Sequence, residues 1–203
     1  MGKHRTLDAL TTLTFDYPRR VVFFRKELEQ YLLLAREQNF DLLSLRASYA
    51  GALGIPHFMP SSYRKNAVDF NGDGKIDLLM DEEDAIGSVA NYLSQYGWKA
   101  GEPVAVAAKV EDETRMSDIG AARSLASWAA LGVSAQGKFS DEAQAYLLIF
   151  TVPDGKEFWL GFNNFATITA YNNSNFYAMT VYQLAVELRV AGHAQGIIRR
   201  APL

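Results

Sequence analysis

The stretch VDFNGDGKIDLLMDEED, residues 68–84, decides how the rest of the chain is read. Asp69, Asn71 and Asp73 fall at positions 1, 3 and 5 of an EF-hand-like loop, and Gly74 sits at position 6, where the chain must turn sharply. Position 12 of such a loop carries a bidentate Glu, but here it is Met80. A twelve-residue loop therefore fails at its closing ligand. Asp81, Glu82, Glu83 and Asp84 follow at once, and carboxylates so closely spaced repel one another unless a cation intervenes. The competing reading is an Asn/Asp/Gly-rich turn whose acids face water.

Working outward, helical patterns flank the loop. Leu7, Leu10 and Leu13 recur at helical spacing, and Asp16-Tyr17-Pro18 breaks the run. A second helix then carries Val21, Phe24, Leu28, Tyr31, Leu32 and Ala35 as its apolar stripe. On the C-terminal side, Asp84 opens a helix with Ile86, Val89, Leu93 and Tyr96 on one face, ending at Gly97. From about residue 100 the texture changes. Pro103–Val110 reads as a strand, residues 117–131 as a short helix around Ile119, Ala122, Leu125 and Trp128, and AYLLIFTV-PDG-KEFWLGF as a β-hairpin. A last amphipathic helix covers roughly 175–190. The expectation is an α+β, mainly α protein, with a helical body at 1–99, a small β-containing insert at 100–165 and a return to the body at 166–203.

Composition narrows the function. With 49% hydrophobic and 21% charged residues the chain has the makings of a core, and a net charge of −3 argues against a protein that grips nucleic-acid phosphates. The absence of cysteine excludes disulfides, thiolate zinc sites and a cysteine nucleophile together. His4, His57 and His193 are too scattered to suggest a histidine metal centre. The N-terminal residues have no apolar run of the kind found in a signal peptide, and no stretch approaches the length of a membrane span.

Three strings carry a resemblance. SYAGALGIPHFMPSSYRKNAVDFNGDGKID (48–77), DAIGSVANYLSQYGW (84–98) and ITAYNNSNFYAMTVYQLA (168–185) occur in order, and with GKHRTLDALTTLTFDYPRR (2–20) they resemble the membrane-bound lytic murein transglycosylase B family. The resemblance implies a lysozyme-like helical core with accessory subdomains and a calcium-binding EF-hand-like loop. It also implies cleavage of the β-1,4 bond between N-acetylmuramic acid and N-acetylglucosamine in peptidoglycan glycan strands, in the periplasm or at the outer membrane. The product carries a 1,6-anhydro ring, because the muramyl sugar's own 6-hydroxyl attacks its anomeric carbon. One carboxylic acid suffices, giving a proton to the leaving oxygen and later taking one from the 6-hydroxyl. The usual glycosidase pair of carboxylates is not needed.

In the family that acid lies in an E-T-R-W-G motif, just ahead of the segment that matches MGKHRTLDAL. No E-T-R-W-G occurs in the 203 residues. The expectation is therefore that the family's catalytic Glu, and any signal peptide or lipid-anchor cysteine, stand upstream of Met1, that no residue of this chain is the catalytic acid, and that upstream helices would leave an apolar face exposed by their absence. Glu27, Glu29 and Glu37 read as an ordinary charged helix face, and Glu157 as an outward strand position. For calcium, the resemblance implies Asp69, Asn71, Asp73, the Lys75 carbonyl and a late carboxylate, Asp84, or Glu83 if the register slips by one. The ion would be structural. For sugar, it implies His57, Phe58 and Met59, with His57 standing where the family usually has Gln, and Tyr171, Asn172 and Tyr177. Ser61, Ser62 and Tyr63 read as a helix cap and support.

Overall fold

A computed structural model describes residues 2–113, 116 and 120–195. The chain divides into two compact units, residues 1–95 and 96–203. It is α+β and mainly helical.

In the first unit, a two-residue strand β1 (His4–Arg5) pairs antiparallel with β2 (Arg46–Ala47) and leads into α1 (Thr6–Phe15). Pro18 cannot continue a helix from the preceding turn, so the chain passes through a single 3₁₀ turn, Pro18–Arg20, before α2 (Val21–Glu37). Helices α3 (Pro60–Asn66) and α4 (Glu82–Gln95) complete the unit. Leu10, Phe24, Tyr31, Leu34, Leu53, Phe58, Tyr63 and Leu78 fill its core. The stripe expected on α2 is shifted: Leu32 is exposed, whereas Glu27 and Leu34 are buried.

Helix α4 differs more. Its expected apolar face is not the buried one, for Ile86 is 67% exposed and Tyr96 lies beyond the helix end. Ala85, Gly87, Ser88 and Tyr92 face inward instead. Small residues win because the acidic loop lies directly on the helix: a Cβ on Gly87 would meet the Phe70 ring at 2.4 Å. The helix also starts two residues earlier than expected, at Glu82, with Asp81 Oδ1 accepting the N–H groups of Glu83 and Asp84.

The second unit is built on a five-stranded antiparallel sheet in the order β4-β6-β7-β3-β5, from β3 (Ala105–Val110), β4 (Arg123–Ser124), β5 (Val133–Ala135), β6 (Gln144–Val152) and β7 (Gly155–Gly161). Strand β6 is a continuous apolar run because both of its faces are covered. Ala145 and Leu147 pack with Trp128, Val133 and Leu160 on one side; Leu148 and Phe150 pack with Phe165, Ile168 and Met179 on the other. The expected helix at 117–131 shrinks to α5 (Leu125–Ala130), with Ala122 outside it; Ile119 lies outside the described residues. Trp128 donates its indole N–H to the Ala145 carbonyl at 2.9 Å, fixing α5 on the sheet.

Helix α6 (Asn163–Tyr171) is not foreseen by its sequence, NNFATITAY, whose β-branched and aromatic residues favour a strand. Asn164 overrides that preference. Fully buried, it donates to the carbonyls of Lys99 and Glu102 and accepts the Lys99 N–H, which ties the helix start to the segment that enters β3. Helix α7 (Asn175–Ala194) follows, capped by Ser174, whose hydroxyl accepts the Tyr177 N–H. Its buried residues are Ala178, Met179 and Gly192, and Leu184, Val186, Leu188 and Val190 stand exposed.

Candidate functional site

The acidic loop is ordered by its own carboxylates. Asp69 Oδ1 accepts the N–H groups of Gly72 and Asp73, and its Oδ2 accepts that of Gly74. Asn71 Oδ1 accepts the Asp73 N–H, and Asp73 Oδ1 that of Lys75. Each acid thus folds the backbone around itself, and Gly72 and Gly74 take the positive φ values, 77° and 87°, that the coil requires. Asp84 closes the ring from α4. It is only 1% exposed, and its two oxygens accept the N–H groups of Phe70 and Asp77, each at 2.8 Å. The Asp77 amide is the main cause holding its carboxyl below the usual range, against the opposing effect of burial. Glu83 points to solvent, so of the two candidate closing acids it is Asp84 that faces the loop. Two further acids bind the ends of the segment: Asp77 Oδ1 accepts from Leu79 and Met80, and Asp81 Oδ2 accepts from the Asn71 amide. Among the described residues, no group of three or more acidic or histidine side chains is gathered as a metal site.

The loop supports the turn that precedes α3. Leu53 and Phe58 exchange backbone hydrogen bonds at 2.7 and 3.0 Å, and His57 donates its N–H back to Gly54. Ile55 donates to the Leu78 carbonyl at 2.8 Å, which draws the turn onto the end of the acidic loop. Approach is so close that a Cβ on Gly54 would lie 2.3 Å from that same carbonyl oxygen. Tyr63 adds a second tie: its hydroxyl donates to the Ile76 carbonyl and accepts the Leu78 N–H, both at 3.3 Å. Burial pushes this phenol up to about 12.

On the turn, the three sequence candidates occupy different places. His57 is exposed, held at φ 53°, a conformation uncommon for a non-glycine residue. Phe58 is 2% exposed and its ring packs against Tyr92, so it lies beneath the turn as core. Met59 is half-buried between them and α3. Its backbone begins that helix without a capping side chain of its own. In the second unit, Tyr171 is the last residue of α6, Asn172 its C-cap, and Tyr177 lies in the first turn of α7. Asn172 and Tyr177 are exposed there and Tyr171 is half-buried.

One polar group on α2 runs against the sequence reading. Glu27 is no solvated helix face: it is 4% exposed, with Oε2 accepting the Ser61 N–H at 3.0 Å and Oε1 the Ser61 hydroxyl at 2.7 Å. Ser61 is correspondingly a donor to α2, and not the cap of its own helix. The signal was present in the spacing, since Glu27 lies three residues after Phe24 and four before Tyr31, within the buried stripe. Glu29 and Glu37 are exposed as expected, and Glu37 pairs with Arg64 of α3, at 2.6 and 2.7 Å.

The sequence and fold have counterparts in known proteins. The transglycosylase SLT domain matches residues 1–186, and the chain belongs to that family. It is 48% identical over 191 residues to membrane-bound lytic murein transglycosylase B of Escherichia coli K12, covering 94% of this chain and 53% of that one. Among solved structures, E. coli lytic transglycosylase Slt35 in complex with calcium superposes with a TM-score of 0.86 at 48% identity, covering 94% of this chain and 61% of that one. Pseudomonas aeruginosa SltB3 in complex with NAG-anhNAM-pentapeptide gives a TM-score of 0.76 at 32% identity, covering 89% and 50%. The chain therefore spans about half the length of the curated relative it matches. The mainly helical, lysozyme-like α+β expectation is the fold of these neighbours, of which SltB3 was solved with NAG-anhNAM-pentapeptide and Slt35 with calcium. No described helix is long and apolar enough to cross a membrane.

Proposed function

We propose that these 203 residues are the glycan-holding part of a peptidoglycan lytic transglycosylase acting in the periplasm or at the outer membrane. The observation that carries this is the match of the transglycosylase SLT domain along residues 1–186. The reaction is cleavage of the MurNAc-β-1,4-GlcNAc bond with closure of a 1,6-anhydro ring on the muramyl sugar. This chain's share is to hold the strand. His57, exposed on its strained turn, offers imidazole nitrogens to an acetamido or hydroxyl group, and Met59 offers an adaptable apolar edge. Phe58 stiffens the turn from below. Tyr171, Asn172 and Tyr177 supply the ring faces and amide that suit a sugar's mixed surface.

The calcium ligands fit the ion in kind. Asp69, Asn71, Asp73, the Lys75 carbonyl and Asp84 present oxygen alone, as a hard cation prefers, and the known likeness is to a relative solved with calcium. When bound, the ion neutralises the loop's carboxylates. Through Leu78, which receives Ile55, and through Tyr63, that loop then holds the His57 turn.

A second reading, binding without cleavage by these residues, is favoured by one observation. The buried acids among the described residues are Glu27 and Asp84, and each has both oxygens engaged as acceptors. Neither is placed to give a proton to a leaving oxygen. Incubating the 203-residue protein with purified sacculi tests both that these residues hold glycan and that they do not themselves cleave it. Saturable binding without anhydromuramyl products, by mass spectrometry of the soluble fraction, is expected. Release of such products would show that an acid within these residues is competent; absence of binding would overturn the glycan reading itself.

A further inference from the structure

We propose that Glu27 is a positioning residue for glycan binding: it caps α3 from α2 and so sets the pose of the His57-Phe58-Met59 turn. This rests on the reading that the turn meets the sugar. Helix α3 opens on Met59 and Pro60 with no cap of its own, which leaves its first N–H groups to find acceptors elsewhere. Glu27 provides one. Its carboxylate, itself buried, takes the Ser61 N–H and the Ser61 hydroxyl on separate oxygens, while Ser61 is half-buried. Hydrogen bonds to an ionised acceptor are about twice as strong as neutral ones.

The placement is what gives this pair leverage. Ser61 is two residues from Met59 and four from His57, with rigid Pro60 in between. Tyr63 holds the far side of the same helix to Ile76 and Leu78, and Arg64 holds its outer side to Gln30 and Glu37. With α3 fixed at these exposed and lower edges, Glu27 governs its remaining freedom, the entry of the chain from the turn. Met59 is the residue from which α3 starts, so a shift of Ser61 is passed directly to Met59 and through it to the His57 turn.

The closing experiment compares Glu27→Ala, Glu27→Gln and Ser61→Ala in the whole chain. Two measurements are made where far-UV circular dichroism shows each variant folded: affinity for a β-1,4-linked N-acetylglucosamine tetrasaccharide, and the Met59 ε-methyl NMR shift, with Met179 of the second unit as control. Glu27→Ala is expected to weaken binding by about tenfold or more and to move Met59, leaving Met179 in place. Glu27→Gln is expected to stay within about threefold, because its carbonyl can accept the Ser61 N–H while its amide donates to the Ser61 hydroxyl. Should Glu27→Ala not fold, Glu27→Met, which fills a similar volume but accepts no hydrogen bond from the Ser61 N–H, carries the same comparison. An unmoved Met59 with unchanged affinity in the alanine or methionine variant overturns the proposal. So does a Gln variant as weak as the alanine one, since position would then not be what matters. If the unsubstituted chain binds no tetrasaccharide, the glycan reading fails, and the Met59 displacement alone judges the positioning role.

Discussion

Raising the pH should loosen the first unit through one phenol, Tyr63. Its ordinary value of 10.0 is pushed up to about 12, chiefly by burial, while the Leu78 N–H bond partly opposes this. Between those values the unfolded chain gives up the proton and the folded chain keeps it. The stability tied to this group is therefore complete below pH 10 and drains away as pH rises towards 12. At about 1.4 kcal/mol per unit, the loss reaches about 1.4 kcal/mol by pH 11 and about 2.3 kcal/mol by pH 12. Tyr63→Phe removes the titrating group at a cost near neutrality of about 1–3 kcal/mol, since the Leu78 N–H and Ile76 carbonyl lose their partner. The gap between the two proteins should accordingly narrow from pH 8 to pH 11 by about 1.4 kcal/mol, other titrations cancelling in the difference. Urea unfolding followed by far-UV circular dichroism measures it. Fluorescence would not, because Trp98, Trp128 and Trp159 all lie in the second unit. A gap that stays constant from pH 8 to pH 11 would refute the burial argument.

Gly54→Ala should lower the unfolding free energy measured in urea by about 2 kcal/mol or more, because the residue sits at φ 69° with its new Cβ against the Leu78 carbonyl; a loss under about 0.5 kcal/mol would mean that the turn yields readily. Asn164→Ala strips three backbone groups of their partner, and a cost of about 2–4 kcal/mol is expected in the second unit, read by tryptophan fluorescence during urea unfolding. A wild-type midpoint would show that water replaces the amide. Calcium should raise the thermal midpoint of the unsubstituted chain and leave Asp73→Asn much less affected, with EDTA reversing the rise; equal rises in both would remove Asp73 from the ligand set.

How far the sequence reaches is best seen at particular residues. The order of helices around the acidic loop, the break at Pro18 and the 144–161 hairpin follow from spacing and turn chemistry, which act over a few residues. The resemblance carried the family, because long unusual strings survive in order. The loop's acids are legible as a set, and the likeness to the family already favours Asp84 over Glu83 as the late carboxylate; the structure adds the reason. Asp84 rather than Glu83 turns to the loop because α4 starts at Glu82, and that start depends on Asp81 capping it. Helix α6 was invisible since its propensity favours a strand, and only the pairing of buried Asn164 with residues far away in sequence settles it as a helix. The faces of α2 and α4 were decided by close approach, Glu27 to Ser61 and Gly87 to Phe70. Periodicity records which side of a helix is greasy. Which side is buried, and which buried charge finds a partner, depends on contacts that form only when distant segments pack together.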